Sequence, residues 1–568
     1  MRWSNTTAKM PELFRRSVAE RRSVKLSVIP GFLFALFAVC GYLLEKNGSV
    51  IPGFGMLLCI LLLTIVFTLL ISALWASQGR ASASLAVKKS SPVFRFIFTH
   101  PAVLMLIMLM CWLPCYLSIY PGNFAYDSSI EYNQCAYGYN DAMPFLHSWI
   151  LVNALLKALV ATGSVSPGIA FLTIGQMILL SALFSMILVK LYHHGVNRTV
   201  LTGMLCYYAL FPTIHFLVTC PIRDVLFSGL LTLCFLEILY ALENRVAFLR
   251  SQKSVTLAGL TGALTILSRN NSNSMLAYLL IVLICIIVLL WAKRSLLSGG
   301  IGFSASLIVC YAVLSVFLSL SCRPQTSLPS NTSLSFLTQP IARAYTENGG
   351  TWSAEERAAY ETYFDTDGLL YAEGLGDISS SKLKTTLDEN GSHTGFIRLW
   401  LQIGAKHPGS YINAWLANTK ALWLPGAVID GYNYEGSIYP TYKDYETSYF
   451  SFLDFMEPPA QFEGKLPAVH RFYAALAHDI TFERIPVVSL LFSIGFHFWL
   501  LLYAFFLALY KQAVPFIAGL GLIVLYVLIS AFVPIILIRY FAALFFIFPI
   551  VFCFCLQPGK MAVSSKSA

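Results

Sequence analysis

The residues with chemical potential in this 568-residue chain are the ionisable groups that border its apolar stretches. Asp127 sits in YPGNFAYDSS, just after the turn residues Pro121 and Gly122, and Glu131 follows one helical turn later. Asp141 and His147 lie in DAMPFLH, Arg223-Asp224 follow Pro221, Arg269 precedes Asn270 and Asn271, and Arg539 is followed by Tyr540. A carboxylate at a membrane boundary loses solvation, which raises its pKa and makes it a better proton acceptor. Its oxygens would also suit a divalent cation. Arginine offers a planar fork matched to phosphate oxygens, and the Asn pair adds donors and acceptors for sugar hydroxyls. Together these side chains suit a substrate bearing both hydroxyls and a phosphate. The plainer alternatives are a solvated loop aspartate at 127, a local salt bridge closing the hairpin at 223-224, and an Arg269 that snorkels to the interface.

Other candidates carry less. Glu237 lies inside an apolar stretch, where proton coupling competes with a hydrogen-bonded structural role. Asp365 and Asp367 form a DxD before Gly368, a pattern that reads as a turn before it reads as a metal site. His147 and His407 lack ligand spacing with a second histidine or cysteine, and no P-loop, GxSxG, HExxH or GxGxxG in its proper context is present. Of the 13 cysteines most fall in apolar blocks; Cys135 and Cys322 lie in polar segments, where a single bridge between them is one alternative.

The elements that must position these groups are membrane helices. With 57% hydrophobic and 12% charged residues and a mean hydropathy of +0.69, the chain departs from soluble proteins, which carry about a quarter charged residues. Apolar blocks predict twelve spans, near 28-44, 54-76, 100-118, 168-189, 199-219, 222-242, 255-268, 274-292, 300-320, 485-510, 513-533 and 537-556. The fold class expected is therefore an all-α polytopic membrane protein. A thirteenth apolar segment, 145-162, carries His147, Asn153 and Lys157. If it lies along the outer surface as an interfacial helix, every strongly basic loop falls on one side. That side then holds 21 of the 38 Lys+Arg and 3 of the 28 Asp+Glu, as the positive-inside rule asks. Both termini are then cytoplasmic, and the net charge of +10 is a topology signal rather than a sign of nucleic-acid binding. The basic start and following apolar stretch lack a small-residue cleavage site and read as an anchor.

The resulting organisation is a basic cytoplasmic tail (1-27), two helices and a basic loop (28-99), a membrane core (100-320) with an outer loop (119-167), an extracytoplasmic insert (321-484), three terminal helices (485-556) and a short cytoplasmic tail (557-568). The insert is expected to be of mixed structure. Ser353 and Glu356 form a capping box opening a helix to about Phe364, and 395-423 has helical spacing that would let it lie on the membrane. No internal repeat of the kind found in many transporters is evident.

YPGNFAYDSSIEYNQ, DAMPFLH, FPTIHFLVTCPIRDVLFSG, SRNN, KHPGSYINAWLANT with LWLPG, and the late RY together resemble an uncharacterised family of bacterial polytopic membrane proteins (DUF6020-like). These look like class C (GT-C) glycosyltransferases, which use lipid-linked sugars, and the similarity spans most of 100-556. The resemblance implies an acidic residue in the first outer loop at the active site, here Asp127, followed by membrane-surface helices, here 145-162. A Lys-Asp pair at the outer hairpin appears as Arg223-Asp224, and a His-His-Pro triplet is replaced by Ala142-Met143-Pro144, with His147 retained.

The function so implied is transfer of a sugar from a polyprenyl-phosphate donor to an envelope glycan, lipid or protein acceptor at the outer face of a bacterial cell membrane. Asp127 would act on the acceptor hydroxyl; Arg223, Asp224, Arg269, Asn270, Asn271, Arg539 and Tyr540 would hold substrate and phosphate, with Glu131, Asp141 and His147 in support. No cofactor is implied, and a divalent cation held by carboxylate oxygen stays one alternative. The rivals are a lipid-linked glycan ligase or polymerase and a transporter or flippase, the last of which would place its ionisable groups near the bilayer midplane.

Overall fold

The computed structural model describes residues 12–84, 91–135, 138–139, 143–269, 297–322, 334–384, 393–425, 449–450, 452, 463–478, 481–558 and 561. Among these residues the regular structure is helical, and nine helices are long and apolar enough to cross a membrane. The chain runs through α1 (Glu12–Asn47), α2 (Phe54–Ser84), α3 (Pro92–Thr99), α4 (Pro101–Ser118), α5 (Ser128–Cys135), α6 (Phe145–Thr162) and α7 (Ser166–His193). It continues through α8 (Arg198–Leu210), α9 (Pro212–Val218), α10 (Arg223–Glu243), α11 (Arg245–Arg250), α12 (Gln252–Leu267) and α13 (Leu297–Cys322). The expected span 274-292 lies outside the described residues.

The insert contributes α14 (Ser335–Asn348), α15 (Ala354–Tyr363), α16 (Gly376–Ser381), α17 (His393–Lys406), α18 (Pro408–Trp423) and α19 (Pro467–Ala477). Its expected mixed character is corrected: among the described residues it is helical, with one isolated bridge between Phe364 and Leu383. The capping box forms as the sequence predicts, Glu356 N donating to Ser353 Oγ at 3.1 Å and Ser353 N to Glu356 Oε2 at 3.0 Å. The insert is clamped to the α1–α2 turn by two side chains. Arg343 Nη2 donates to Gly48 O at 3.0 Å, and Val50 N donates to Asn413 Oδ1 at 2.7 Å.

The chain closes with α20 (Val488–Phe492), α21 (Ile494–Lys511), α22 (Val514–Ser530) and α23 (Ala542–Leu556). The expected span 485-510 begins later, at Ile494, because Val487 takes a φ of +70° and Ser493 caps a new helix by accepting from Phe496 N. Nearly every residue of α23 is buried, so it forms the axis of the bundle. The α2 face bearing Leu57, Leu61, Ile65 and Leu69 is exposed, as a surface meeting lipid must be.

Pro212 and Pro549 each leave a core carbonyl without its helical donor, and aromatic side chains serve both carbonyls. Pro212 has no N–H, so the span expected at 199-219 is a pair of helices, α8 and α9, bent by 50°. The carbonyl of Tyr208, which Pro212 would otherwise serve, accepts from Trp112 Nε1 at 2.9 Å. The next carbonyl, Ala209 O, accepts from His215 Nε2 at 2.8 Å, which leaves His215 Nδ1 to accept from Tyr473 of α19. In α23, Pro549 orphans the carbonyl of Phe545, and Tyr207 Oη donates to it at 3.2 Å. At the far end of α9, Gln176 Nε2 of α7 reaches the carbonyls of Leu217, Val218 and Cys220 at 2.9 to 3.2 Å. Backbone groups in an apolar medium need such partners.

Contacts among the helix ends fix which of them share a rim. Asn123, after α4, bonds Thr219 after α9 through N–H to O at 2.8 Å. Ser166 Oγ, at the start of α7, donates to Glu463 Oε1 at 2.8 Å, and Glu463 N donates to Tyr120 O at 2.9 Å. At the opposite end of α7, Lys190 Nζ lies 2.6 Å from Glu243 Oε2 at the end of α10, about 30 Å along that helix from Arg223. The helix α6 has the length and apolarity of a span. Its first turn holds His147 against Glu131 of α5, and its last turn joins Ser166 through a left-handed Gly163.

Replacing Trp112 by Phe keeps the ring volume similar but strands the Tyr208 carbonyl. The expected loss is about 1–3 kcal/mol of stability, read as a lowered midpoint of thermal unfolding in detergent, with Trp112→His partly restoring it.

Candidate functional site

The turn between α4 and α5 is shaped by two residues with left-handed backbone. Gly122 has φ +142°, and a Cβ there would collide with the side chain of Thr173 in α7, so only glycine fits. Tyr126 has φ +57°, a conformation that costs a bulky residue about 1–3 kcal/mol. This reversal sets the Tyr126 ring 4.3 Å from the Arg539 guanidinium, a cation–π contact. It also delivers Asp127 to the start of α5, where its carbonyl accepts from Glu131 N at 2.7 Å.

Asp127 Oδ2 accepts from two arginines, Arg223 Nη2 at 2.6 Å and Arg539 Nη1 at 3.2 Å. Arg539 Nη1 also lies 3.8 Å from Asp224 Oδ2, and Arg269 Nη2 lies 3.7 Å from Asp224 Oδ1. Three guanidinium groups therefore share two carboxylates. Asp224 occupies the first turn of α10, where the helix dipole favours an anion. Arg269 Nη1 donates to Tyr526 Oη at 2.6 Å, Tyr526 Oη donates to Tyr540 O at 2.6 Å, and Arg539 Nη2 donates to Tyr540 Oη at 3.0 Å. Thus Asp127, Arg223, Asp224, Arg269, Arg539 and Tyr540, spread over more than 400 positions of the sequence, meet at one place.

The cluster has a buried floor and an accessible mouth. Side-chain exposure is 2% for Asp224 and 5% for Arg539, against 21% for Arg223 and 30% for Asp127. Two buried atoms on the floor, Asp224 Oδ2 and Arg539 Nε, lack a hydrogen-bond partner among the described residues. A buried donor left in this state costs about 1–3 kcal/mol. Beside the mouth, Glu131 Oε1 accepts from His147 Nδ1 at 2.9 Å and from Ser148 Oγ at 2.7 Å.

The expectation that the boundary raises the Asp127 pKa is corrected. Burial does push it up, but the charges of Arg539 and Arg223 outweigh burial and hold the carboxyl below its ordinary range. Desolvation was the only effect visible from local sequence; the counter-charges come from far along the chain. Burial likewise pushes Glu131 up, and His147, Arg223 and Ser148 bring it below its usual value. With Asp127 Oδ2 taken by two guanidiniums, the donor set fits an anion better than a divalent cation. Among the described residues no group of three His, Cys, Asp or Glu side chains is arranged to hold a metal ion.

Asp141, Asn270 and Asn271 lie outside the described residues. Glu237 accepts from Thr261 Oγ1 at 3.0 Å within the bundle. Asp367 N donates to Asp365 Oδ1 at 3.1 Å beside a left-handed Gly368, a turn as the sequence suggests. Cys135 and Cys322, both buried, end α5 and α13. Sequence reading missed Tyr126 and Tyr526. The second left a signal, as a hydroxyl inside the otherwise apolar α22; the first left only its adjacency to Asp127.

A family of unknown function, DUF6020, matches residues 140–567, three quarters of the chain. The chain belongs to DUF6020. The matched stretch contains Arg223, Asp224, Arg269, Arg539 and Tyr540, whereas Asp127 and Glu131 of this DUF6020 protein precede it. No curated protein and no solved structure matches the chain.

The depressed carboxyls make stability depend on acid. Their pairs contribute fully above the unfolded pKa values of 3.8 for Asp and 4.5 for Glu, and that contribution is lost as pH falls through the lower folded values. Unfolding temperature should be flat above about pH 5 and fall below about pH 4. Asp127→Asn and Glu131→Gln should each lower the plateau and flatten the acid limb; curves parallel to wild type would contradict the assignment.

Proposed function

We propose that this protein is a GT-C-like glycosyltransferase of the bacterial cell membrane. It moves a sugar from a polyprenyl-phosphate donor to an envelope glycan, lipid or protein at the outer face. The carrying observation is the convergence of Arg223, Arg269 and Arg539 on Asp127 and Asp224 at one rim of the helix bundle. That rim is the outer one in the topology that collects the basic loops in the cytoplasm, with both termini inside. The positions of the two ends of α6 support a helix lying along that surface: an odd number of crossings between Asp127 and Arg223 would separate residues that are 2.6 Å apart.

In the reaction, the acceptor oxygen attacks the anomeric carbon as the bond from that carbon to the phosphate oxygen breaks. The electron pair leaves with the phosphate, and the acceptor proton passes to an Asp127 oxygen. The arginines stabilise the negative charge that develops on the leaving phosphate, the contribution that is usually largest in such sites. A single displacement inverts the anomeric centre. The clustering of charge at one rim favours this chemistry over a carrier, whose ionisable groups would sit at the midplane.

Cells lacking the protein should accumulate a polyprenyl-linked sugar in lipid extracts and lose that sugar from the envelope. Complementation with Asp127→Asn or Arg539→Lys should restore transfer at least about a hundredfold less well than wild type, with normal protein levels in the membrane. Full activity in both variants, or an unchanged lipid profile in the null strain, would refute the proposal.

A further inference from the structure

The resting arrangement leaves the proposed base in the wrong state. Asp127 is bound to two arginines, Arg223 near the mouth and Arg539 on the floor, and a carboxylate so paired has little affinity for a proton. The same arginines are the ones a donor phosphate would need. We propose that lipid phosphate and Asp127 compete for Arg223 and Arg539, so that arrival of the donor releases the carboxylate to act on the acceptor hydroxyl. This inference rests on the reading of the site as one for polyprenyl phosphate.

Three observations carry it. The carboxylate holds both guanidiniums through one oxygen, Oδ2, and its side chain is the most exposed of the cluster's ion pairs. It is therefore reachable from outside and replaceable by rotation of its side chain, since the backbone stays fixed by the Asp127 O to Glu131 N bond. The donor, a phosphodiester, brings one negative charge and two free oxygens to the arginine forks, and as the glycosyl bond breaks the leaving phosphate becomes a monoester with nearly twice the charge of a carboxylate and three oxygens for them. Arg539 Nε, buried and without a hydrogen-bond partner among the described residues, is a spare donor in the same group. Besides Asp127, the acidic groups acting on Arg223 are Asp224 of α10 and Glu131 of α5, and Arg539 faces Asp224 and the Tyr126 ring. Once the two arginines turn to phosphate, their pull on the carboxylate weakens while the acidic Glu131 stays one helical turn away, and both changes raise its affinity for a proton. The step balances: the phosphate takes the hydrogen bonds, and the carboxylate takes one proton, from the acceptor in turnover or from solvent when phosphate binds alone.

The test uses the full-length protein in nanodiscs titrated calorimetrically with a short-chain polyprenyl monophosphate, in two buffers of different ionisation heat. Wild type should take up protons on binding, and Asp127→Asn should bind about tenfold tighter without that uptake, a competing pair having been removed. Arg223→Lys and Arg539→Lys should bind more weakly. Equal or weaker binding by Asp127→Asn, together with wild-type binding that takes up no proton, would overturn the exchange while leaving the glycosyltransferase reading intact. Failure of wild type to bind the lipid phosphate at all would overturn both. Inorganic phosphate titrated in parallel should bind far more weakly; equal affinity would assign the exchange to free phosphate and overturn the lipid source. If Asp127→Asn does not fold, proton uptake by the wild type decides.

Discussion

A guanidinium group buried at the edge of a membrane must find an anion, and Arg539 imposes that requirement on this fold. An uncompensated charge there costs several kcal/mol. Its segment, PIILIRYF, supplies no acid of its own. The counter-charges come from Asp127 and Asp224, which forces the turn after α4 and the start of α10 to the rim where α23 begins. The left-handed Tyr126 and the glycine at 122 follow from the same demand, because a relaxed turn would not bring a carboxylate and a ring to one guanidinium. Local strain is sustained by the surrounding packing, as is common at functional sites.

The second organising constraint is backbone satisfaction at Pro212 and Pro549. Each proline removes a donor in the middle of an apolar bundle, and each vacated carbonyl is served by a side chain from another helix, Trp112 and Tyr207. The bend at Pro212 also places the end of α9 beside Asn123. The repair of the break and the position of the Asp127 turn are therefore one structural problem. His215 extends this link to Tyr473 of α19, which ties the insert to the same joint.

Most of the helical frame was legible in the sequence, since long apolar blocks permit few alternatives. The capping box at Ser353 was legible for a different reason, its two hydrogen bonds being local to four residues. The bend in 199-219 had a visible cause in Pro212, yet hydropathy averaged over the segment concealed it. At the site, the residue types Asp127, Arg223, Asp224, Arg269 and Arg539 were readable as charges at span ends, but their pairing was not. Which acid meets which arginine depends on helix packing over hundreds of residues, and so does the direction of the Asp127 pKa. Local sequence reports burial; it does not report the distant cation that reverses its effect.

The cluster divides into two parts that differ in burial and in place along the chain. Arg269, Arg539 and Asp224 form a buried frame held by Tyr526 and Tyr540, and this frame lies wholly within the stretch matched to DUF6020. Asp127 arrives from before that stretch and sits at the mouth. Within the matched stretch the frame and Arg223 carry three cations against one anion, so the balancing charge must be supplied from elsewhere. A side chain from the preceding loop supplies it in the resting protein, and a phosphate of the right reach would supply it equally well. In the proposed reading phosphate takes the place of the accessible anion on this buried cationic frame; in a salt bridge that served only to hold helices together, both partners would be expected on the buried floor, whereas Asp127 is 30% exposed.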